Sequence, residues 1–193
     1  MASFDPKTTL VVMALADESQ GLFEKVGIHP LYTGIGQVRA AYSITKALCD
    51  HKPKAILNLG TAGSFHLKQG DLVECSGFVQ RNSKNGLAGG GLRTKAIQVA
   101  NPLTNLPKVI CGTGDFIQEA NLLTLSNLTQ NLQKNFEIMD MEAYALAYVA
   151  QQMNIPFYSI KYISDNSNAQ TASDWKKNSQ EAAQNLLNIY LGL

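Results

Sequence analysis

The chain has 193 residues, long enough for one domain with a sizeable core, and its 45% hydrophobic against 16% charged residues excludes a disordered chain. A net charge of +1 gives no electrostatic reason to expect nucleic acid or an anionic membrane as partner, while the low charge fits a surface partly covered by oligomerisation. The start, MASFDPKTTL, has no apolar stretch behind a basic segment, and no apolar run approaches the ~20 residues that span a bilayer, so a cytoplasmic protein is expected.

In chain order, Leu10 to Ala14 predicts a short buried strand. Asp17-Glu18-Ser19-Gln20 predicts a helix start, with Asp17 as the cap and Gln20 three residues on. Leu31 to Thr33 predicts a second strand, ending in Gly34-Ile35-Gly36. Gln37 to Asp50 predicts a helix, with Val38, Ala41, Tyr42 and Thr45 at helical spacing. After Pro53, Ala55 to Leu59 predicts a third strand that ends in a turn, Gly60-Thr61-Ala62-Gly63. Leu72 to Val79 predicts a fourth. Residues 81–106 turn rich in Asn, Gly, Lys and Pro and predict a long loop or lid. Val109 to Gly112 predicts a strand and Ile117 to Leu132 a helix.

The apolar run Phe136 to Met139 is broken by Asp140. Ala145, Leu146, Val149 and Met153 then recur at helical spacing until Asn154-Ile155-Pro156 stops them. Phe157 to Ile163 predicts a strand with Ser164-Asp165 at its carboxyl end, and Asn178 to Leu191 a closing helix. Strands alternating with helices predict an α/β fold over residues 1–193 as a single domain. The expected form is a three-layer αβα sandwich with a mixed, largely parallel central sheet.

Ligands of open α/β sheets bind outside the carboxyl ends of the strands. Read as one β-α-β unit, residues 137–165 therefore put Glu142 and Asp165 on one rim, beside the small turns at 34–36, 60–63 and 112–115. Each feature has a plainer reading. The turns match neither phosphate-loop nor dinucleotide motifs and can be tight turns after buried strands. Asp140 can cap the next helix, leaving Glu142 as a first-turn acid favoured by the helix dipole. Glu18 can be a surface first-turn acid. His29, His51 and His66 share no spacing, and neither they nor Cys49, Cys75 and Cys111 form a metal motif. The odd cysteine count points to buried, reduced thiols. Trp175 reads as packing, in a segment, SDWKK, that starts the last helix.

Taken together, ALADE at 14–18, TGIGQVRAA at 33–41, NLGTAGSFHLKQGD at 58–71 and DMEAYALAYVAQQMNIPFYSIKYISD at 140–165 resemble the purine nucleoside phosphorylase/nucleosidase superfamily. The resemblance is greatest to the 5′-methylthioadenosine/S-adenosylhomocysteine nucleosidases, with TGDFI at 113–117 as a weaker fifth segment. It implies a nucleoside phosphorylase-like fold and hydrolysis of the N-glycosidic bond of a purine nucleoside, with no cofactor. By this resemblance Asp165 matches the acid that protonates the purine at N7, with Ser164 helping to position it. Glu142 matches the carboxylate on the ribose hydroxyls, with Met141 packing on the sugar. Glu18 matches the base that activates water. Thr61, Ala62 and Gly63 match the turn near the ribose and that water, and Phe116 and Ile117 the segment that recognises the base. A homodimer is also implied.

Phosphorolysis is the first alternative. The strand AILNLGT carries Asn58 where phosphorylases of this superfamily carry an arginine, and a carboxylate at Glu18 repels phosphate and suits water. Arg39, Arg81 and Arg93 remain as possible phosphate ligands. A futalosine-type hydrolase and a non-catalytic nucleoside-binding protein are the others. The chain also departs from the family pattern. Only fifteen residues separate Glu18 from Gly34, where the family has an extra strand pair. Residues 80–108 are compact, and GDFI lacks one residue between Asp and Phe.

Overall fold

The computed structural model describes residues 5–81, 96–99, 101–115, 136–166 and 171–193, the side chains of 171–174 excepted. The predicted helix Ile117 to Leu132 and most of the predicted lid lie outside these residues. After a single turn of 3-10 helix at Pro6–Thr8, the described elements are β1 (Thr9–Met13), α1 (Ala16–Ser19), α2 (Leu22–Lys25), β2 (Leu31–Tyr32), α3 (Gln37–Asp50), β3 (Ala55–Gly63), β4 (Leu72–Gln80), β5 (Ile97–Gln98), β6 (Lys108–Thr113) and β7 (Ile138–Asp140). They end with α4 (Ala143–Gln152), β8 (Phe157–Asp165) and α5 (Thr171–Leu191). No described helix is long and apolar enough to cross a membrane.

The sheet is mixed and largely parallel. β2, β1, β3 and β8 pair in parallel, as do β7, β6 and β4. The two sets join antiparallel at β3–β7 and β4–β8, so β3, β7, β6, β4 and β8 close into a ring. The expected three-layer sandwich with a mixed, largely parallel sheet did not include this closure. Its physical cause lies in β4, which pairs with β8 through Leu72–Glu74 and with β6 from Glu74 onward. A register shift between Cys75 and Gly77 falls where the strand changes partner, and bulges of this kind bend and twist strands.

Alternation along the strands divides the core. Val12, Ile56, Ala62, Phe157 and Ile163 point to one side, where they meet Ala40, Ile44 and Leu48 of α3 and Leu146, Ala147 and Ala150 of α4. Val11, Met13, Leu57, Leu59, Ile160 and Tyr162 point to the other, against Phe23 of α2 and Ala182, Leu186, Leu187 and Tyr190 of α5. Each large side chain buried this way contributes about 1.5–3 kcal/mol, which holds α5 on the sheet. The buried face of α3 is Gln37, Ala40, Ile44 and Leu48, whereas Val38 and Tyr42 stand in solvent at 81% and 68% exposure. Cys75 and Cys111 are buried as expected, but Cys49 is exposed.

Where the extra strand pair was expected to be missing, α2 and the two-residue β2 make the connection. The Tyr32 hydroxyl reaches both Ser19 Oγ, at 2.6 Å, and the Glu24 carboxylate, closing the short path. Glu74, buried in β4, anchors the segment before β6. It accepts from Leu103 N at 2.6 Å, Thr104 N at 2.9 Å and Lys108 Nζ at 2.9 Å.

Candidate active site

Glu18 is buried although it stands in a one-turn helix. Its Oε2 accepts from Ala14 N at 2.9 Å and Leu15 N at 3.2 Å, so Glu18 rather than Asp17 satisfies the start of α1. Its Oε1 accepts from Thr61 N at 2.9 Å and Thr61 Oγ1 at 3.0 Å. All four partners are donors, as suits a carboxylate acting as an acceptor. Gly60 makes this approach possible, because a Cβ there would lie 2.8 Å from Glu18 Oε1. The tight turn predicted at 60–63 is instead the end of β3, still paired with β8.

Glu142 precedes α4, and it is Asp140 that binds the helix start, accepting from Ala143 N at 2.9 Å. The Glu142 side chain leaves the helix and accepts from Gly36 N at 2.8 Å. Asp140 thus holds the helix start, as the plainer reading had it, but Glu142 stands before the helix and not in its first turn. The pKa of Glu142 is pushed up to about 8, first by burial and then by the Asp140 charge, with Glu18 adding to it. Lys161 and the Gly36 N–H act in the opposite sense. The turn after β2 is held from a second side by Asp115, which accepts from Gln37 N at 2.7 Å. Gly36, at φ +96°, adopts a conformation that favours glycine and lies close to the Asp115 carboxylate.

Behind Glu142 lies a pair that sequence reasoning missed. Lys161 Nζ meets Asp140 Oδ2 at 3.0 Å, both side chains 3% exposed or less. Burial opposes the Lys161 cation, but the Asp140 carboxylate outweighs it and holds the ammonium above its ordinary range. Burial likewise pushes Asp140 up, while Lys161 and the Thr113 hydroxyl, 2.7 Å away, bring it below the usual carboxylate range. The signal was available, since a lysine inside the apolar strand FYSIKYISD needs a buried partner.

Asp165 is buried at the end of β8, where Ser164 Oγ donates to its Oδ2 at 2.8 Å. Ala62 pairs with Ile163 and Gly63 with Asp165, so Ser164 is an extra residue in the strand. Such a bulge re-aims the side chain that follows it. Asn178 of α5 donates to Ser164 O at 2.8 Å and fixes the same corner.

Residues 137–165 do not form a parallel β-α-β unit. β7 runs antiparallel to β3 and meets it only at Gly63–Met139, while β8 runs parallel to β3. Glu142 and Asp165 are nevertheless both tied to Gly63, Asp165 by pairing with it and Glu142 by following its other partner, Met139, by three positions. Met141 is partly buried between β7 and Glu142, and Ala62 and Gly63 are buried in β3. Phe116 and Ile117 lie outside the described residues, as does Arg93.

Of the other candidate phosphate ligands, Arg81 is buried and donates to Gly114 O at 3.1 Å and Asp140 O at 3.2 Å. Arg39 is exposed, its stem against Gly34. Asn58 is also committed, donating to Val12 O at 3.2 Å and accepting from Ser159 Oγ at 3.0 Å. Trp175, read as packing, donates through Nε1 to Thr61 Oγ1 at 2.9 Å. Among the described residues, no group of His, Cys, Asp and Glu could hold a metal ion.

A mixed α/β sheet with buried carboxylates and small residues gathered at strand ends is the kind of rim at which α/β proteins bind small molecules. Residues 17–193 match the Phosphorylase superfamily, and the chain belongs to that family. It is 30% identical over 169 residues to a 5′-methylthioadenosine/S-adenosylhomocysteine nucleosidase of Bacillus cereus, covering 76% of this chain and 71% of the relative. A protein of the same name from Buchnera aphidicola is 28% identical, over 82% of this chain and 74% of its own. Among solved structures, the fold is similar to that of the Helicobacter pylori 5′-methylthioadenosine/S-adenosylhomocysteine nucleosidase, with a TM-score of 0.79 at 18% identity over 95% and 97% of the two chains. It is also similar to a futalosine hydrolase mutant of the same organism, with a TM-score of 0.80 at 18% identity over 95% and 96%.

Proposed function

We propose that the chain hydrolyses the N-glycosidic bond of an adenine nucleoside such as 5′-methylthioadenosine or S-adenosylhomocysteine, releasing the free base. The observation that carries the reading is the gathering of Glu18, Glu142 and Asp165, all buried, around the end of β3. In this reading Asp165, steadied by Ser164, protonates the purine at N7, because the glycosidic C–N bond breaks readily only when the departing base is neutralised. The ribose becomes cationic, and Glu142 holds its hydroxyls and, in its ionised form, stabilises that charge, with Met141 against the sugar. Glu18, beside Thr61, Ala62 and Gly63, takes a proton from the attacking water, a division of labour like that of inverting glycosidases. Phe116 and Ile117 recognise the base. Water rather than phosphate is the nucleophile. The Glu18 carboxylate repels phosphate, and the Arg81 guanidinium is engaged with backbone carbonyls.

The same reading treats residues 1–193 as a single domain working in the cytoplasm as a homodimer. α3 and α4 on one side, with α2 and α5 on the other, are its outer layers. Val38 and Tyr42 of α3 and Tyr148 of α4, all exposed, support a partner surface there. The test is to incubate the purified protein with methylthioadenosine in phosphate-free buffer and to measure adenine. Release without phosphate is expected, and Asp165→Asn should lower it by ~10³-fold or more with the fold intact. Release only when phosphate is added would refute the hydrolase reading, and binding without release would refute catalysis.

A further inference from the structure

Trp175 is the chain's single tryptophan, and its indole N–H is aimed at one atom beside the site, Thr61 Oγ1, 2.9 Å away. We propose that Trp175 is a positioning residue for Glu18, acting through the Thr61 hydroxyl; its effect on turnover rests on the nucleosidase reading above. Indole can only donate, so Thr61 Oγ1 accepts from it. The hydroxyl then has its one proton left to give, and Glu18 Oε1 lies 3.0 Å away. The indole thereby fixes the direction of an otherwise rotatable O–H and points it at the carboxylate.

The remaining ties on Glu18 come from backbone N–H groups of Ala14, Leu15 and Thr61, which are set by β1, β3 and the start of α1. The Thr61 hydroxyl is the one adjustable contact among them, and Trp175 is what sets it. Trp175 is itself well placed to do so. It stands near the start of α5, a helix packed on α1 and β3 and held further along by Leu186, Leu187 and Tyr190. Simple packing at this half-buried position would be met by any large ring. It would not require an N–H directed at a hydroxyl that in turn donates to Glu18.

The experiment has two readouts. The first is the single indole N–H resonance of the ¹⁵N-labelled protein, which needs no turnover. It should move on Thr61→Val, which removes the acceptor, and also on Glu18→Gln, which acts only through Thr61. The second is kinetic. Trp175→Phe should lower kcat about tenfold with KM within about twofold, and Trp175→His, which keeps an N–H donor, should recover part of that loss. Trp175→Phe in a Thr61→Val background should add little, because the chain is already cut. A Trp175→Phe protein with wild-type kcat, or an indole resonance that Thr61→Val leaves in place, overturns the proposal. A wild-type protein that releases no base refutes the nucleosidase reading instead, and the indole resonance then decides the link by itself.

Discussion

Glu142→Gln should make the protein less sensitive to pH. In the unfolded chain this carboxyl ionises near its ordinary value of 4.5, and in the folded protein near 8, chiefly because it is buried and next because Asp140 is charged. Between these values the folded state holds a proton that the unfolded state has lost. The stability that comes with the proton is therefore complete below about pH 4.5 and drains away as pH rises toward 8. One proton corresponds to at most about 1.4 kcal/mol per pH unit. For a domain of this size that is a fall in Tm of about 3–5 °C per unit from this group alone. Glutamine has the same shape, keeps an oxygen for the Gly36 N–H and cannot ionise. Melting curves of wild type and Glu142→Gln at pH 5.5, 6.5 and 7.5 and constant ionic strength should therefore diverge, with the variant gaining on wild type at each step. Parallel curves would mean that Glu142 is ionised in the folded protein, and the argument from burial would be wrong.

Two further substitutions probe the surroundings of the acids. Lys161→Met leaves Asp140 buried without its cation and should cost about 3–5 kcal/mol in urea unfolding, most of it returned by adding Asp140→Asn; a single variant as stable as wild type would show that the pair is not closed in solution. Gly60→Ala drives a methyl to within 2.8 Å of Glu18 Oε1, so kcat should drop about tenfold or more while Tm falls by only a few degrees; unchanged turnover would show that Glu18 need not sit against β3.

Much of the fold was legible because local pattern and tertiary environment agree. The helix Gln37–Asp50 and the strands around Val11, Leu57 and Ile160 carry the periodicity their burial requires. Reading failed where one residue serves two neighbours. Val38 and Tyr42 fit a helical stripe but face solvent, since spacing identifies a face and not what covers it. Gly60 and Gly63 look like a turn because glycine is a turn residue, yet here Gly60 gives room to Glu18 inside a strand. The bulge at Ser164 leaves no mark in composition, since it arises from the pairing of β8 with β3.

The sequence by itself determined the chemistry on offer: three carboxylates, each beside small residues, in an apolar chain of little net charge with no metal-binding pattern. Those properties depend on residue type and near neighbours, which a chain carries whether folded or not. Only the tertiary structure decided what each acid does with its neighbours. Ring closure brings Gly63 against both Met139 and Asp165, and the antiparallel β7 returns Glu142 to Gly36, a contact across more than 100 residues. Burial then separates the acids electrostatically. Asp140 stays charged because Lys161 faces it, the Glu142 carboxyl is pushed up by burial and then by the Asp140 charge, and Glu18 is ringed by donors. These differences come from distance and dielectric, which exist only once the strands have closed around them.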